Sequence, residues 1–245
     1  MKCISLVVHA EKLHHDAVWE RVDRIVRRMA RQGRHATFFV YPFRAQVAGQ
    51  NISERVRVLS AMGHEVAQHT HFYAGTKIDK PEKVNDFSSE NITYCLRRDF
   101  ETLCQMGVTP KGFTAGAWFV NETVWDTLIE LGLDYDCSVH FPKPHSPSNF
   151  SHFRWHKSAS VYTNGKGSLL IMPTTCSLAE RFRWGRRVIM DDSELYQLIY
   201  LHDYDLLSVK KYALLWFFLN FNRRVRFIEA RVLAGQIGSS KRRSV

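Results

Sequence analysis

The strongest constraint on this chain is a repeated alternation of short β-branched runs with amphipathic helical stretches. Residues 4–8 read as a strand. Residues 16–32 read as a helix whose Val18, Val22, Ile25, Val26 and Met29 share one face. Asp16 is placed to cap that helix and Gly33 to end it. A strand over 36–41, a helix over 53–62 closed by Gly63, and a strand over 65–68 that delivers His69 to its end continue the pattern. A helix starts at Ser88 or Ser89 and ends at Gly107, 111–118 is extended, and Asn121 caps a further helix. Later strands are expected at 135–139, 168–172 and 225–229, and helices near 193–200 and 208–219. Six or seven βα units of this kind predict a parallel α/β sheet, closed as a barrel or open, with the working site at the carboxyl ends of its strands. No seam divides the 245 residues, so a single domain over 1–245 is expected, with an irregular insertion at about 142–167 and a basic C-terminal tail.

Composition removes several classes. Hydrophobic residues make up 45% of the chain against 24% charged, enough apolar material for a continuous core and against disorder. The apolar stretch at 212–219 is too short to span a membrane. The opening residues 1–9 lack an export h-region, which predicts a cytoplasmic protein. Five cysteines without C-x-x-C pairing fit reduced thiols rather than a disulfide framework or a cysteine zinc site. The net charge is +10, and residues 210–245 hold nine Lys/Arg against one Glu. No nucleic-acid module accompanies that charge, so nucleic acid is not the expected partner.

Three polar clusters fall at or just past strand ends. In His9-Ala10-Glu11, with His14 and His15 behind, the i and i+2 side chains of an extended segment point the same way. His69 and His71 have the same spacing and can present two imidazoles to one metal ion. Two histidines and one carboxylate around an open position make a hydrolase-type site. His202-Asp203-Tyr204-Asp205 places a histidine beside aspartates able to hold one tautomer, as a general acid requires. Each pattern also fits a strand end whose histidines are satisfied by neighbours or water, and His35 and His64 read as surface or capping residues.

In order and spacing these pieces resemble the polysaccharide deacetylases, carbohydrate esterase family 4. The matching pieces are Ala36-Thr37-Phe38-Phe39-Val40, Gly63-His64-Glu65 leading to His69-Thr70, and Gly112-Phe113-Thr114-Ala115-Gly116. Leu201-His202 and the closing Arg226-Phe227-Ile228-Glu229 complete the set. The resemblance covers nearly the whole chain and implies an α/β fold, a distorted (β/α)7-type barrel. It implies removal of an N-acyl group, acetyl or formyl, from an amino sugar. Departures are plain. The family's paired aspartates fall on His9 and Ala10, its second metal histidine on Tyr73, and its arginine on Thr114. An arginine beside a neutral histidine base would depress its pKa and gain no ion pair, so the two losses are consistent. The implied ligands of a divalent ion, zinc foremost with Co, Ni, Mn or Fe compatible, are Glu11, His69 and His71, with His14 in reserve. His9 would be the base, His202 the acid with Asp203 or Asp205 orienting it, and the Ala117 N–H the oxyanion donor.

Arg181, Arg183 and Trp184, with Trp118 at a strand end, are candidate substrate contacts, because guanidinium groups grip anions while aromatic faces stack on sugars. The basic run also fits a solvated loop. The expected partner is an amino sugar or glycan, anionic or lipid-linked. The resemblance places the reaction in bacterial surface-polysaccharide (O-antigen or lipopolysaccharide) assembly. The cationic C-terminal part adds peripheral contact with the inner membrane face. Two alternatives stand: a non-catalytic glycan-binding relative, and a C–N hydrolase of formamides or imides.

Overall fold

The computed structural model describes residues 3–73, 85–141, 154, 156–184, 196–221 and 226–242. In chain order the elements begin with β1 (Cys3–Ala10), α1 (Asp16–Arg31), β2 (Thr37–Val40), α2 (Pro42–Val47), α3 (Ser53–Ala61) and β3 (Glu65–Thr70). The next are α4 (Ser89–Gln105), β4 (Gly112–Ala115), α5 (Glu122–Glu130), β5 (Tyr135–Asp136), β6 (Ser160–Asn164) and β7 (Gly167–Ile171). The last are β8 (Cys176–Ser177), α6 (Leu178–Trp184), β9 (Tyr196–His202), α7 (Val209–Phe221), β10 (Arg226–Phe227) and α8 (Ala230–Arg242). The strands form one sheet in the order β6-β7-β5-β4-β3-β2-β1-β9-β8, with β10 beside the start of β1. Every pairing is parallel except the β6–β7 hairpin. The sheet is curled, as in the distorted barrel the sequence predicts.

Period-two alternation sorts each strand between two cores. On β1, Ile4, Leu6, Val8 and Ala10 pack with Val18, Val22, Ile25, Val26 and Met29 of α1. Burying a side chain of this size is worth about 1.5–3 kcal/mol. Val7 faces the other way, joining Phe39, Ala67, Tyr135 and Leu198 inside the curl. His9 and Glu11 continue the Val7 row, and His69 continues that of Ala67. The register sets His9 opposite His202 on β9 and Phe39 on β2. No helix among the described residues is long and apolar enough to cross a membrane.

Several expectations are corrected. The expected helix at 193–200 is β9 from Tyr196 onward; it is buried on both faces, and a continuous apolar run carries no helix-or-strand period. The insertion at 142–167 is not irregular throughout, since its polar end holds β6 and the hairpin into β7; residues 142–153 and 155 lie outside the described ones. Asp16 is the first helical residue rather than the cap, and its carboxylate pairs with Arg55. The basic tail begins as α8, which docks Ala230, Leu233 and Ala234 on the inner core. His64 is buried, its ring joined to Ala36 N at 3.1 Å and Val26 O at 3.2 Å.

Candidate active site

The inward rows of β1, β3 and β9 deliver four polar side chains to one spot at the carboxyl end of the sheet. Glu11 Oε1 lies 3.5 Å from His69 Nε2, 3.3 Å from His71 Nε2 and 3.8 Å from His202 Nε2. One donor atom from each of Glu11, His69 and His71 falls within 4.8 Å of the others, a grouping of the size that could hold a metal ion. Burial pushes the Glu11 carboxyl up, but the imidazoles of His69 and His71 outweigh it and hold the group well below the usual range. Glu11 is therefore an anion. Arg44 of α2 approaches its other oxygen, Nη1 to Oε2, at 3.5 Å.

Second contacts fix the rings. A carbonyl only accepts, so the 2.8 Å contact of His69 Nδ1 with Thr114 O puts the proton on Nδ1 and leaves the Nε2 lone pair facing Glu11. Thr114 thus orients the His69 ring through its backbone carbonyl. The His71 ring lies so close to Gly116 that a Cβ there would stand 2.3 Å from its Cγ. Only glycine fits that approach. Tyr73 stacks on His71 with centroids 5.1 Å apart. His14 lies against His15 at 4.2 Å instead of joining the three-donor group.

The three donors fit a divalent ion. His69 Nε2 and His71 Nε2 are buried with no hydrogen-bond partner among the described residues, and both face a carboxylate oxygen. A buried polar atom left unpaired costs about 1–3 kcal/mol. A cation between the two nitrogens and the carboxylate removes that cost.

His9 and His202 flank this group. The His9 ring sits 5.0 Å from His69 and 5.2 Å from His202. Burial first, and then the neighbouring histidines, push its pKa well down, so the ring is neutral. His202 Nδ1 is 3.8 Å from Asp205 Oδ2, which also accepts from His202 N at 3.1 Å. Burial raises the Asp205 carboxyl, but His202 and Lys211 outweigh it and hold it at about 2. Asp203 is turned elsewhere: its Oδ2 accepts from Lys12 N at 2.7 Å and its Oδ1 from Tyr204 N at 2.8 Å. Burial raises it to about 7. Of the two aspartates beside His202, Asp205 faces the imidazole and Asp203 ties the β1 loop to the β9 turn.

Ala117 and Trp118 occupy the left-handed region, with φ of 54° and 59°. Non-glycine residues are rarely held there, and each costs roughly 1–3 kcal/mol, a strain typical of functional turns. The turn sets the Trp118 ring 5.0 Å from His9 and 4.9 Å from Tyr200. Arg181 and Arg183 lie on α6, with Arg183 exposed; the Trp184 side chain lies outside the described residues. The sequence reading missed Tyr200, His140 and Arg44. Tyr200 carried a signal, since it stands two residues before His202 on one strand. Pro42 at the first turn of α2 marked the helix that carries Arg44. His140, 4.1 Å from Trp118, sits on an isolated bridge and had none.

A sequence model described as polysaccharide deacetylase matches residues 12–135. No curated protein matches by sequence. Among solved structures, a protein from Mycobacterium smegmatis provisionally described as a polysaccharide deacetylase matches with TM-score 0.69 and 18% identity, over 98% of this chain and 92% of its own. A family 4 acetyl xylan esterase from Clostridium thermocellum, in complex with a cobalt ion, matches with TM-score 0.57 and 15% identity, over 97% and 92%. A family 4 pseudoenzyme from Bacillus anthracis matches with TM-score 0.55 and 11% identity, over 95% and 65%. One fold thus hosts an esterase and a pseudoenzyme.

Proposed function

We propose, from the premise that this chain belongs to the polysaccharide deacetylase family, that it is a metal-dependent hydrolase removing an N-acyl group from an amino sugar. A carbohydrate deacetylation activity follows from the family. The metal dependence, the sugar and the surface-polysaccharide pathway are our own reading. The observation that carries it is the convergence of Glu11, His69 and His71, two of them with buried nitrogens lacking hydrogen-bond partners among the described residues, between two further histidines.

Glu11, His69 and His71 would hold the ion, which supplies Lewis acidity that acidifies water and polarises the amide carbonyl. His9, kept neutral by burial, accepts the proton of the attacking water as its oxygen bonds to the carbonyl carbon. The Ala117 N–H, on its strained turn, donates to the developing oxyanion. His202 gives a proton to the departing nitrogen as the C–N bond breaks, and Asp205 stabilises its protonated form. A carboxylic acid and a free amino sugar result. Trp118 offers a face to the sugar ring, and Arg181 and Arg183 supply positive charge for an anionic glycan.

The test is release of acetate or formate from N-acetyl and N-formyl amino-sugar substrates. The wild type turns over. His69→Ala and His202→Ala each lose at least about 10³-fold while circular dichroism stays unchanged. Full activity in either variant overturns the assignment.

A further inference from the structure

Four of the seven exposed large hydrophobic side chains among the described residues gather on one short stretch. Leu207 is 49% exposed, Val209 80%, Trp216 42% and Phe217 47%. Val209, Ala213, Trp216 and Phe217 stand at i, i+4, i+7 and i+8 of α7, one face of a helix, while Leu215, Phe218 and Leu219 are buried on the other. A helix apolar on both faces is not finished by its own core.

Around that face the charge is positive. Lys210 and Lys211 lie on α7, which has no acidic residue, and α1 carries five arginines against three acids. Arg28 of α1 lies over the Trp216 ring, 5.1 Å from its centroid, and donates to Asn220 Oδ1 at 2.7 Å. Arg21 lies over Tyr212 at 5.0 Å. On the other flank Phe182 of α6 meets Phe217 at 6.1 Å, with the exposed Arg183 next in sequence. Of the acids on these elements, Asp16, Glu20, Asp23 and Asp205 are paired with Arg55, Arg24, Arg27 and Lys211, and Glu180 of α6 accepts from Ser177 N at 2.7 Å.

From this juxtaposition we infer that the α7 face docks on a lipid surface bearing anionic headgroups. Tryptophan and phenylalanine seat at the headgroup boundary, and flanking Lys and Arg meet lipid phosphates. A second copy of this chain is the poorer occupant, because a two-fold contact would press like-charged faces together. The stripe starts at Leu207, in the turn between His202 and α7 that carries Asp205. Docking therefore brings the mouth of the site to the bilayer surface, and a lipid-linked sugar is the substrate that gains from it. That last step alone rests on the hydrolase reading.

The experiment is sedimentation of the full chain with vesicles of phosphatidylcholine, alone or mixed with phosphatidylglycerol, at about 0.05 M and about 0.5 M salt. Binding to the anionic vesicles is at least about tenfold tighter and weakens at high salt. Trp216→Ser/Phe217→Ser loses at least about tenfold, and Lys210→Glu about fivefold or more. In both variants circular dichroism and turnover of a water-soluble substrate stay at the wild-type level. Absent binding to anionic vesicles, equal binding by the Trp216/Phe217 variant, or a concentration-dependent dimer abolished by that variant overturns the proposal. Failure of the hydrolase reading reads out separately, as vesicle binding without turnover.

Discussion

The inward row of β3 begins at Glu65 and ends at His69, and the two ends treat polar atoms oppositely. At the amino end Glu65 Oε1 accepts from Tyr135 OH at 2.8 Å, and Oε2 accepts from Thr37 Oγ1 at 2.7 Å and Arg231 N at 3.0 Å. Thr37 Oγ1 in turn accepts from Ala230 N at 2.7 Å. This closed knot ties β2, β3 and β5 to the start of α8, with each carboxylate oxygen engaged. At the carboxyl end His69 Nε2 and His71 Nε2 face Glu11 with no hydrogen-bond partner among the described residues. Equal burial thus serves two ends. A satisfied polar network fixes the fold, and the cluster left short of hydrogen-bond partners is where we propose that the ion binds.

The largest effect expected from breaking this contrast is on stability at the amino end. Glu65→Ala strands three donors and costs about 3–5 kcal/mol in urea unfolding of the metal-free chain, whereas His71→Ala costs less than about 1 kcal/mol. Comparable losses from both would erase the distinction. A smaller effect separates acids held by neutral donors from those held by cations. Asp136 is met by Trp125 Nε1 at 2.9 Å and Ser138 N at 2.9 Å, and burial raises it to about 6. An acid raised on folding gives stability that is present below its unfolded pKa and lost as pH rises through the folded one. Relative to wild type, Asp136→Asn should therefore gain stability as pH rises from about 4 to about 7, by at most about 3 kcal/mol. Unfolding midpoints across that range check it, and a constant difference contradicts it. Asp205, held at about 2 by His202 and Lys211, gives no such gain in that window.

Alternation of strand and helix was legible because amphipathic helices such as α1 announce their period over 16 residues. The i, i+2 spacing placed His69 with His71 and His9 with Glu11 on common sides because the extended backbone of β1 and β3 carries one residue past each strand end. Register was not legible. Nothing local says that His9 stands opposite His202, since parallel pairing across the whole chain decides it. The choice between Asp203 and Asp205 was hidden for a similar reason: Asp203 is claimed by the amide of Lys12, 191 positions away. β9 was misread because burial on both faces erases the period that distinguishes strand from helix.

The central claim is that the carboxyl-end cluster is a metal seat. Elemental analysis of tag-free wild type beside Glu11→Ala and His69→Ala tests it most directly. Close to one divalent ion per chain is expected in the wild type, and its loss in both variants. A wild type that stays metal-free after reconstitution with Zn, Co, Ni, Mn or Fe, or variants that keep a full complement, would contradict it.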